Sequence, residues 1–480
     1  IKFRILANMG ASNLSLGNET EACQFFIDAY QYTPEDEKAL SNIGLAHLIS
    51  GDLSKAKEFA EKTLEKYPEN LQATSILIQA SDDPDRDVFV KQLSKNVRNT
   101  SEVYFALGFV ELGKKNYQLS EEHFRKALEL DDGKSLEIPS TLAGLLIEKN
   151  IPILQKLEFE GLVKKDNKEI EEALVLFAEV WKKVENTEMA EAKAEWLVSL
   201  SFGKRILGRL DEALVDAKRA YDLAPGNGKV VKNLSMLFWE KGNFAEAYKL
   251  LELHKDSVDF PQIPYLMALV KREQKDFDSA ISLLKARLAE KDLPEDTKED
   301  GLGLLTEIFF MANKKEEAEQ YIINQLKANP KNILFLTFNS RLYEEKNDNL
   351  HAVEEAKKAQ SFLTGKSSYH DKFIAASQLY RLKLFKEAQS LYEEIADKTV
   401  YSPLLYKLLY CYYETNSYGQ ALALTRLITE KQGPIEDVLK IQAAILEEQG
   451  DIDGEMSTYR KLVESNPDDT AAKIQIGYIL

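Results

Sequence analysis

The chain has 480 residues, of which 44% are hydrophobic, and a formal net charge of −17. A surface that binds nucleic-acid phosphates needs clustered Lys and Arg, so this charge argues against a nucleic-acid partner. We expect a protein or peptide partner that is neutral or basic, although acidic residues on solvated helix faces explain the same net charge without any partner. No apolar run approaches the roughly 18 residues that a membrane-spanning helix needs, so we expect no membrane insertion.

The segment from Glu37 to Pro68 contains the pattern on which the rest of the chain is built. Apolar and small side chains around Gly44 recur at helical spacing and predict a first helix. Gly51-Asp52 predicts a turn, and the spacing of small residues from Ala56 onward predicts a second helix that ends at Pro68. Short side chains at Gly44 and Ala56 allow the two helix axes to approach to roughly 8 Å.

This pattern recurs along the chain and can be followed by one position of the second helix, which is small in every unit except the last. Most intervals between these positions lie near 34 residues. The positions are Ala22, Ala56, Ser120, Ala173, Ala213, Ala247, Ala280, Ala318, Ala352, Ala388, Ala421 and Glu455. The combination of Leu, Gly, a turn, Ala and Pro over 34 residues resembles the tetratricopeptide repeat (TPR). The resemblance implies an all-α fold, a right-handed superhelical α-solenoid of antiparallel helix-turn-helix repeats, here about thirteen of them.

Deviations from the period predict how the chain is divided. Residues 1–132 are predicted to form N-terminal repeats, with one degenerate repeat at 71–100. Residues 133–187 are predicted to be an irregular repeat with an extra helix, IPSTLAGLLIEK, and residues 188–467 to be C-terminal repeats. Residues 468–480 match the first helix of a further, truncated repeat, so we expect the sequence to be a segment of a longer protein.

Residues with catalytic or metal-binding spacing are missing from the sequence. The five histidines have neither ligand spacing nor a nearby pair of cysteines, which argues against a zinc site. Thr364-Gly365-Lys366-Ser367 imitates the end of a phosphate-binding loop, but Gln360 stands where its first glycine belongs, and a helix rather than a strand is predicted before it. We therefore expect no enzyme activity, no cofactor and no metal in this segment. A catalytic domain outside this segment remains an alternative.

A first-helix groove is the expected binding surface, because in TPR arrays the first helices of successive repeats line the concave side where partners bind. The groove-facing candidates are aromatic or basic: Phe202, Arg205, Lys232, Trp239, Tyr265, Arg272, Phe310, Arg341, Phe373, Tyr380, Arg381, Tyr406, Tyr410 and Tyr413. The alternative interpretation is that many of these aromatic side chains pack against the neighbouring repeat. A carboxylate clamp of the kind that binds chaperone C termini is disfavoured, because Lys232 and Asn233 have no matching residues in the next repeat.

One part of this groove stands out by its aromatic residues. Tyr406, Tyr410 and Tyr413 share a helix face at i, i+4 and i+7, and Phe373 and Tyr380 occupy equivalent positions in the preceding unit. These five residues are called the aromatic surface here. We expect it to have a basic edge at Arg381 and to be a recognition hot spot, since tyrosine adds contact area and a hydroxyl at low entropic cost.

Three functions agree with these patterns. The favoured one is a protein-interaction scaffold that binds a peptide or partner protein in the groove. The alternatives are a substrate-recruiting or sensor arm of a larger enzyme or switch ATPase, and a constitutive subunit of a large complex. The chain has only two cysteines, Cys23 and Cys411, too far apart in a solenoid to pair, which favours a reducing compartment and hence the cytoplasm.

Overall fold

The computed structural model of the chain describes residues 2–15, 19–154, 167–187, 190–255, 262–290, 293, 295–396 and 403–480. Every regular element in these ranges is helical, and none of these residues forms a strand. The predicted all-α solenoid is therefore confirmed. No helix in the described part is both long and apolar enough to cross a bilayer.

Helices α1 to α15 have the following bounds: α1 Lys2–Ser15, α2 Glu19–Tyr30, α3 Glu37–Ile49, α4 Leu53–Lys66, α5 Leu71–Ala80, α6 Asp83–Gln92, α7 Lys95–Arg98, α8 Ser101–Gly113, α9 Tyr117–Leu130, α10 Glu137–Glu148, α11 Lys168–Val184, α12 Ala190–Ile206, α13 Leu210–Leu223, α14 Gly228–Glu240 and α15 Phe244–Leu253. The remaining helices are α16 Ile263–Glu273, α17 Phe277–Leu288, α18 Glu295–Met311, α19 Lys315–Ala328, α20 Ile333–Glu345, α21 Asn349–Phe362, α22 Tyr369–Arg381, α23 Phe385–Ile395, α24 Pro403–Glu414, α25 Tyr418–Gln432, α26 Glu436–Gln449, α27 Ile452–Ser465 and α28 Thr470–Ile479.

The helices form two compact units. The first contains the described residues within Ile1–Pro152 and Lys164–Ile263, and the second those within Ile153–Val163 and Pro264–Leu480. In each unit, consecutive helices pack as hairpins, such as α3 with α4 and α8 with α9 in the first unit, and α20 with α21 and α22 with α23 in the second. The second helix of one hairpin also packs on the first helix of the next, as α4 does on α5 and α23 on α24. Each hairpin thus buries its apolar stripe only against its neighbours, as in a solenoid.

A close contact between the two helices fixes the geometry of each hairpin. In the second hairpin, Gly44 of the first helix stands twelve positions before Ala56, the small residue of the second helix that marks the period. Gly44 and its equivalents in the other hairpins are called the crossing residues of the first helices. The second-helix residues that mark the period are all fully buried from Ala22 to Ala421. In three hairpins a serine at one position donates its hydroxyl to the backbone carbonyl at the other, over 2.7–2.9 Å: Ser120 to Gly108, Ser201 to Ala213 and Ser340 to Ala352.

The turn between the helices is equally regular. Seven positions after the first-helix crossing residue, the backbone has a positive φ in ten hairpins. The residue is Gly in four of them (Gly51, Gly208, Gly242, Gly450), Asn in three (Asn313, Asn347, Asn416) and Lys in three (Lys115, Lys275, Lys383). Left-handed backbone is free of cost for Gly and tolerated by Asn, which explains why Gly-Asp and Gly-Asn mark turns in the sequence.

The predicted degenerate repeat contains a shortened second helix. α5 is an ordinary first helix that packs on α4 and α8, whereas α6 and the four-residue α7 replace a full second helix. Arg86 of α6 is almost fully buried, and its guanidinium donates to the carbonyls of Ile78, at 2.6 Å, and Ser81 beyond the end of α5. Arg86 therefore donates hydrogen bonds to carbonyl groups at the C-terminal end of α5, which have no partner within that helix.

The irregular region contains a hairpin with a long connection. The predicted extra helix corresponds to α10, which packs against α11. Residues 151–154 are also helical, and residues 155–166 lie outside the described ranges. On either side of these residues, the buried side chains of Asn150 and Asn167 hydrogen-bond each other at 2.8 Å, and Asn150 also donates to Glu169 at 2.7 Å. A buried, satisfied polar network thus joins the two helices.

Two glycines at equivalent crossing positions predict opposite effects of the same substitution. A Cβ on Gly108 would lie 2.4 Å from the Phe124 ring, whereas one on Gly44 would meet its nearest neighbours at 3.5 Å. Gly108→Ala should therefore destabilise its hairpin by about 1–3 kcal/mol through overpacking. Gly44→Ala should stabilise its hairpin by up to about 1 kcal/mol, because alanine favours a helix. Hydrogen exchange of the two hairpins measures both effects, and equal changes would contradict this account.

The hairpin of α26 and α27 contains a glutamate at the crossing position. Glu455 is only 8% exposed and makes no hydrogen bond or ion pair with any described residue. Burial, and secondarily Glu447, raise the pKa of this carboxyl above its ordinary value. A raised folded-state pKa means that the hairpin is most stable when Glu455 is protonated and loses stability as pH rises through that pKa.

Replacing Glu455 with alanine should therefore stabilise this hairpin at neutral pH by up to about 1 kcal/mol, because burial disfavours the charged carboxylate. The protection factors of α27 amides, compared at pH 4 and pH 7, are the measurement. The parent should lose protection at the higher pH and the variant should not. An unchanged pH dependence in Glu455→Ala would assign the effect to another group.

Candidate functional site

The groove-facing positions of the second unit follow from the crossing residues. On each first helix, positions three before, one after and four after the crossing residue share one face, which adjoins the face in contact with the second helix. On α16, α18, α20, α22 and α24 these positions are Tyr265, Leu269, Arg272, Gly303, Glu307, Phe310, Thr337, Arg341, Glu344, Phe373, Ser377, Tyr380, Tyr406, Tyr410 and Tyr413.

A cavity of about 620 Å³ opens along this face in the second unit. Its lining comes from four successive first helices, α16, α18, α20 and α22. Every position three before or one after the crossing residue on these helices contributes to it. The apolar part of the lining comprises Leu269, Leu304, Leu334, Phe338, Phe373 and Ile374. Five predicted groove residues line the cavity: Tyr265, Arg272, Arg341, Phe373 and Arg381.

The arginines of this cavity are neutralised by glutamates of the same face. Arg272 Nη2 lies 2.6 Å from Glu273 Oε1, and Arg381 Nη2 lies 3.2 Å from Glu344 Oε1 on the neighbouring first helix. Arg341 Nε lies 3.4 Å from Glu345, and its guanidinium lies over the Phe310 ring at 4.7 Å. The basic edge expected at Arg381 is therefore an ion pair rather than an isolated positive charge, because Glu344 stands at a groove-facing position that sequence analysis did not select.

The aromatic surface is continuous from α22 to α24. The Tyr380 and Tyr410 rings meet edge to face with centroids 5.9 Å apart, and Tyr410 and Tyr413 lie 6.4 Å apart. Phe385 at the start of α23 contacts both Tyr380 and Tyr410, at 5.7 and 5.6 Å. Burial raises the pKa of Tyr380 to about 12, and a hydrogen bond to Glu414 raises that of Tyr410.

These aromatic side chains belong to the core as well as to the groove. All five residues of the aromatic surface are partly exposed, and all pack against the buried cluster that joins α22, α23 and α24. Leu405, Leu408, Leu409 and Tyr412 of α24 are buried, so the opposite and adjoining faces of that helix supply its main packing. Each of these rings therefore has a buried part that packs against the core and an exposed part that remains accessible in the groove.

The remaining predicted residues lie in the first unit. Arg205 lies over the Phe202 ring at 5.7 Å, and its Nε donates to Glu240 at 2.6 Å. Lys232 is exposed, and Trp239 is partly exposed with no hydrogen bond from its indole N–H within the described ranges. These four residues do not form a cavity comparable to that of the second unit among the described residues.

Sequence reasoning missed the smaller residues of the cavity. Gly303 and Thr337 occupy the same register as Tyr265 and Phe373, and both line the cavity. The prediction selected only aromatic and basic side chains, although the space of a groove is created where side chains are short. Gln378 is a further lining residue, 4% exposed, and donates to Ser340 at 3.2 Å and to Glu344 at 3.0 Å.

Residues 364–367, which resemble the end of a phosphate-binding loop, lie in an exposed turn between α21 and α22. There the Thr364 N–H donates to Ser367 Oγ at 2.9 Å, which closes the turn on itself. No cluster of metal-ligating side chains occurs in the part of the chain that the structure describes.

The contact between Tyr380 and Tyr410 should couple two neighbouring hairpins. We expect a double-mutant cycle of Tyr380→Ala and Tyr410→Ala to give a coupling energy of about 0.5–1.5 kcal/mol, as for other edge-to-face pairs. Urea unfolding followed by circular dichroism provides the four stabilities. Tyr321 and Tyr413, which belong to the same unit but make separate ring contacts, form the control cycle, which should show no coupling. Strict additivity for Tyr380 and Tyr410 would contradict the observed packing.

Comparisons with known proteins identify one repeat directly. The family model described as "Tetratricopeptide repeat" matches residues 101–133, which contain α8 and α9. No curated protein sequence matches the chain. Among solved structures, the crystal structure of yeast Tom70 is similar, with 16% identity and a TM-score of 0.44, over 98% of this chain and 99% of that chain.

The structure of the APC/C hetero-tetramer Cut9-Hcn1 is also similar, with 12% identity and a TM-score of 0.33, over 100% of this chain and 96% of that chain. Both TM-scores lie below 0.5, so neither structure supports a function for this chain. The hairpin geometry of the matched repeat recurs at the same crossing and turn positions in the other regular hairpins of the described chain. The chain therefore contains a tetratricopeptide repeat at residues 101–133, and its other regular hairpins resemble this repeat in their crossing and turn positions.

Proposed function

We propose that this chain is a non-catalytic protein-interaction scaffold, and that its second unit binds a segment of a partner protein in the first-helix groove. The observation that carries the proposal is the cavity of about 620 Å³, lined by four successive first helices. Its apolar lining offers burial to a ligand, while Gln378, Ser377 and the paired arginines offer polar contacts at fixed positions. A concave site that combines apolar side chains with polar groups at fixed positions is typical of binding pockets.

The proposed partner is a protein or peptide rather than a nucleic acid. The net charge of −17 opposes phosphate binding, and the arginines of the cavity are paired with glutamates. We also propose a reducing compartment such as the cytoplasm. Support comes from Cys23 and Cys411, which are both buried and free.

The proposal is tested by filling the cavity. Thr337 is a partly exposed lining residue whose hydroxyl donates to the carbonyl of Ile333 in its own helix. Thr337→Trp should occupy the space without removing a packing contact. We expect it to weaken binding of peptides selected from a displayed random library by about 2 kcal/mol or more, which is roughly 30-fold in Kd. Fluorescence anisotropy with the selected peptides provides the measurement.

The matched control is Ser361→Trp. Ser361 is an exposed hydroxyl residue on the second helix α21, outside the lining of the cavity. This variant should bind the selected peptides as the parent does. Circular dichroism establishes that both variants keep the parent's helix content. If the folded Thr337→Trp chain binds with unchanged affinity, the groove of the second unit is not the binding site.

A further inference from the structure

The groove changes character between its cavity and α24. On α22 and α24, five of the six groove-facing positions are aromatic, and Ser377 is the sixth. On α16, α18 and α20 only Tyr265 and Phe310 are aromatic among nine such positions. The aromatic surface is therefore a local concentration of rings on two successive first helices, α22 and α24, rather than a general property of the repeats.

The rings of the aromatic surface are held at fixed angles. Tyr380 and Tyr410 are inclined by 66°, and Tyr410 and Tyr413 by 54°, so these rings do not stack flat on one another. Phe373 stacks on Tyr369 with centroids 6.0 Å apart, and the Lys407 ammonium lies over its ring at 5.0 Å. Because each ring is partly exposed and braced by neighbours, binding costs little further loss of side-chain freedom.

Hydrogen-bond donors accompany these rings. The hydroxyls of Tyr380 and Tyr413 make no hydrogen bond to any residue that the structure describes. Both hydroxyls are therefore available to donate to an acceptor on a ligand.

The charges beside the aromatic surface balance. Arg381 is paired with Glu344, Lys407 lies over the Phe373 ring, and Glu414 lies beside Tyr410, so two cations and two carboxylates adjoin the rings. An acidic ligand would have to compete with these glutamates, and a basic ligand with the arginine. Charge complementarity therefore favours an uncharged ligand that supplies carbonyl acceptors.

We propose that the aromatic surface binds an uncharged, proline-rich segment in the polyproline II conformation. A polyproline II segment has no internal hydrogen bonds, so its carbonyls accept hydrogen bonds from outside, and its prolines offer no competing N–H groups. Its rings pack on aromatic side chains, and its preformed conformation reduces the entropy lost on binding. An amphipathic helix, in contrast, satisfies its own carbonyls and has no use for the hydroxyls of Tyr380 and Tyr413.

The rings of the two helices also meet one another. Tyr380 of α22 and Tyr410 of α24 lie with centroids 5.9 Å apart, so a segment that crosses from one helix to the other stays in contact with aromatic side chains. This inference rests on the proposed function, because it names the ligand chemistry for one part of the same groove.

Decaproline is the probe that tests the inference, and a Gly-Ser peptide of equal length is its control. Isothermal titration calorimetry on the full chain should detect binding of decaproline and none of the Gly-Ser peptide. Tyr406→Ala combined with Tyr410→Ala should weaken decaproline binding at least 10-fold. Tyr380→Phe combined with Tyr413→Phe keeps the rings and should weaken it about 3- to 10-fold, because only hydroxyl donors are lost. Tyr343→Phe, on α20 but outside the groove-facing register, should change nothing.

The outcomes separate this inference from the scaffold function. If library peptides bind and Thr337→Trp blocks them while decaproline does not bind, the scaffold function stands and the proline-rich ligand is wrong. If decaproline binds equally to the parent and to Tyr380→Phe with Tyr413→Phe, donation by the hydroxyls is wrong. If neither library peptides nor decaproline bind, both proposals fail. Because Phe variants keep the packing, they decide the question even if the alanine variant loses helicity.

Discussion

The close crossing between the two helices of each hairpin is the contact on which the rest of this structure depends. A short side chain on the first helix and a buried residue twelve positions later allow the helix axes to approach, and three hairpins add a serine hydroxyl bonded across the gap. Larger residues at these positions require local adjustment. Leu409 is fully buried at one crossing, opposite the small Ala421, and the Phe124 ring fills the space left by Gly108.

The crossing also determines which side chains can reach a ligand. Once the second helix occupies one face of the first, positions three before, one after and four after the crossing residue lie on the adjoining face. In the second unit, from α16 to α24, all of these positions except Phe310 and Glu344 line the cavity or belong to the aromatic surface. The same helix face thus contributes to the packing between hairpins and to the groove.

Charge within the groove is arranged by pairs that bridge repeats. Arg381 of α22 contacts Glu344 of α20, and Gln378 contacts both Glu344 and Ser340. In the first unit Arg205 of α12 bonds to Glu240 of α14 in the same way. Arg381 and Arg205, which sequence analysis assigned to ligand binding, are therefore already paired with glutamates. What the groove of the second unit presents to a partner is therefore mainly shape, aromatic area and hydroxyl donors.

The sequence by itself determined the helical class, the period and the hairpin register. Small residues at Gly44 and Ala56, and at equivalent positions of other hairpins, indicate a close helix crossing, and Gly at the turn adopts a left-handed backbone at no cost. Because each hairpin contacts only its neighbours, this local pattern is sufficient to predict the solenoid and to place Tyr265, Arg272, Arg341, Phe373 and Arg381 on the groove face.

Only the tertiary structure decided which arginines were neutralised, where the cavity opened and how far the tyrosines entered the core. Glu344 and Arg381 are 37 residues apart, and no local periodicity reveals that they touch. The cavity forms where Gly303 and Thr337 leave space between larger neighbours, which depends on how four helices stack rather than on any single residue type. Partial burial of Tyr380 and Tyr410 likewise results from the contact between two hairpins. Local sequence encodes the face of each helix, whereas the space and charge between helices arise only when the repeats pack.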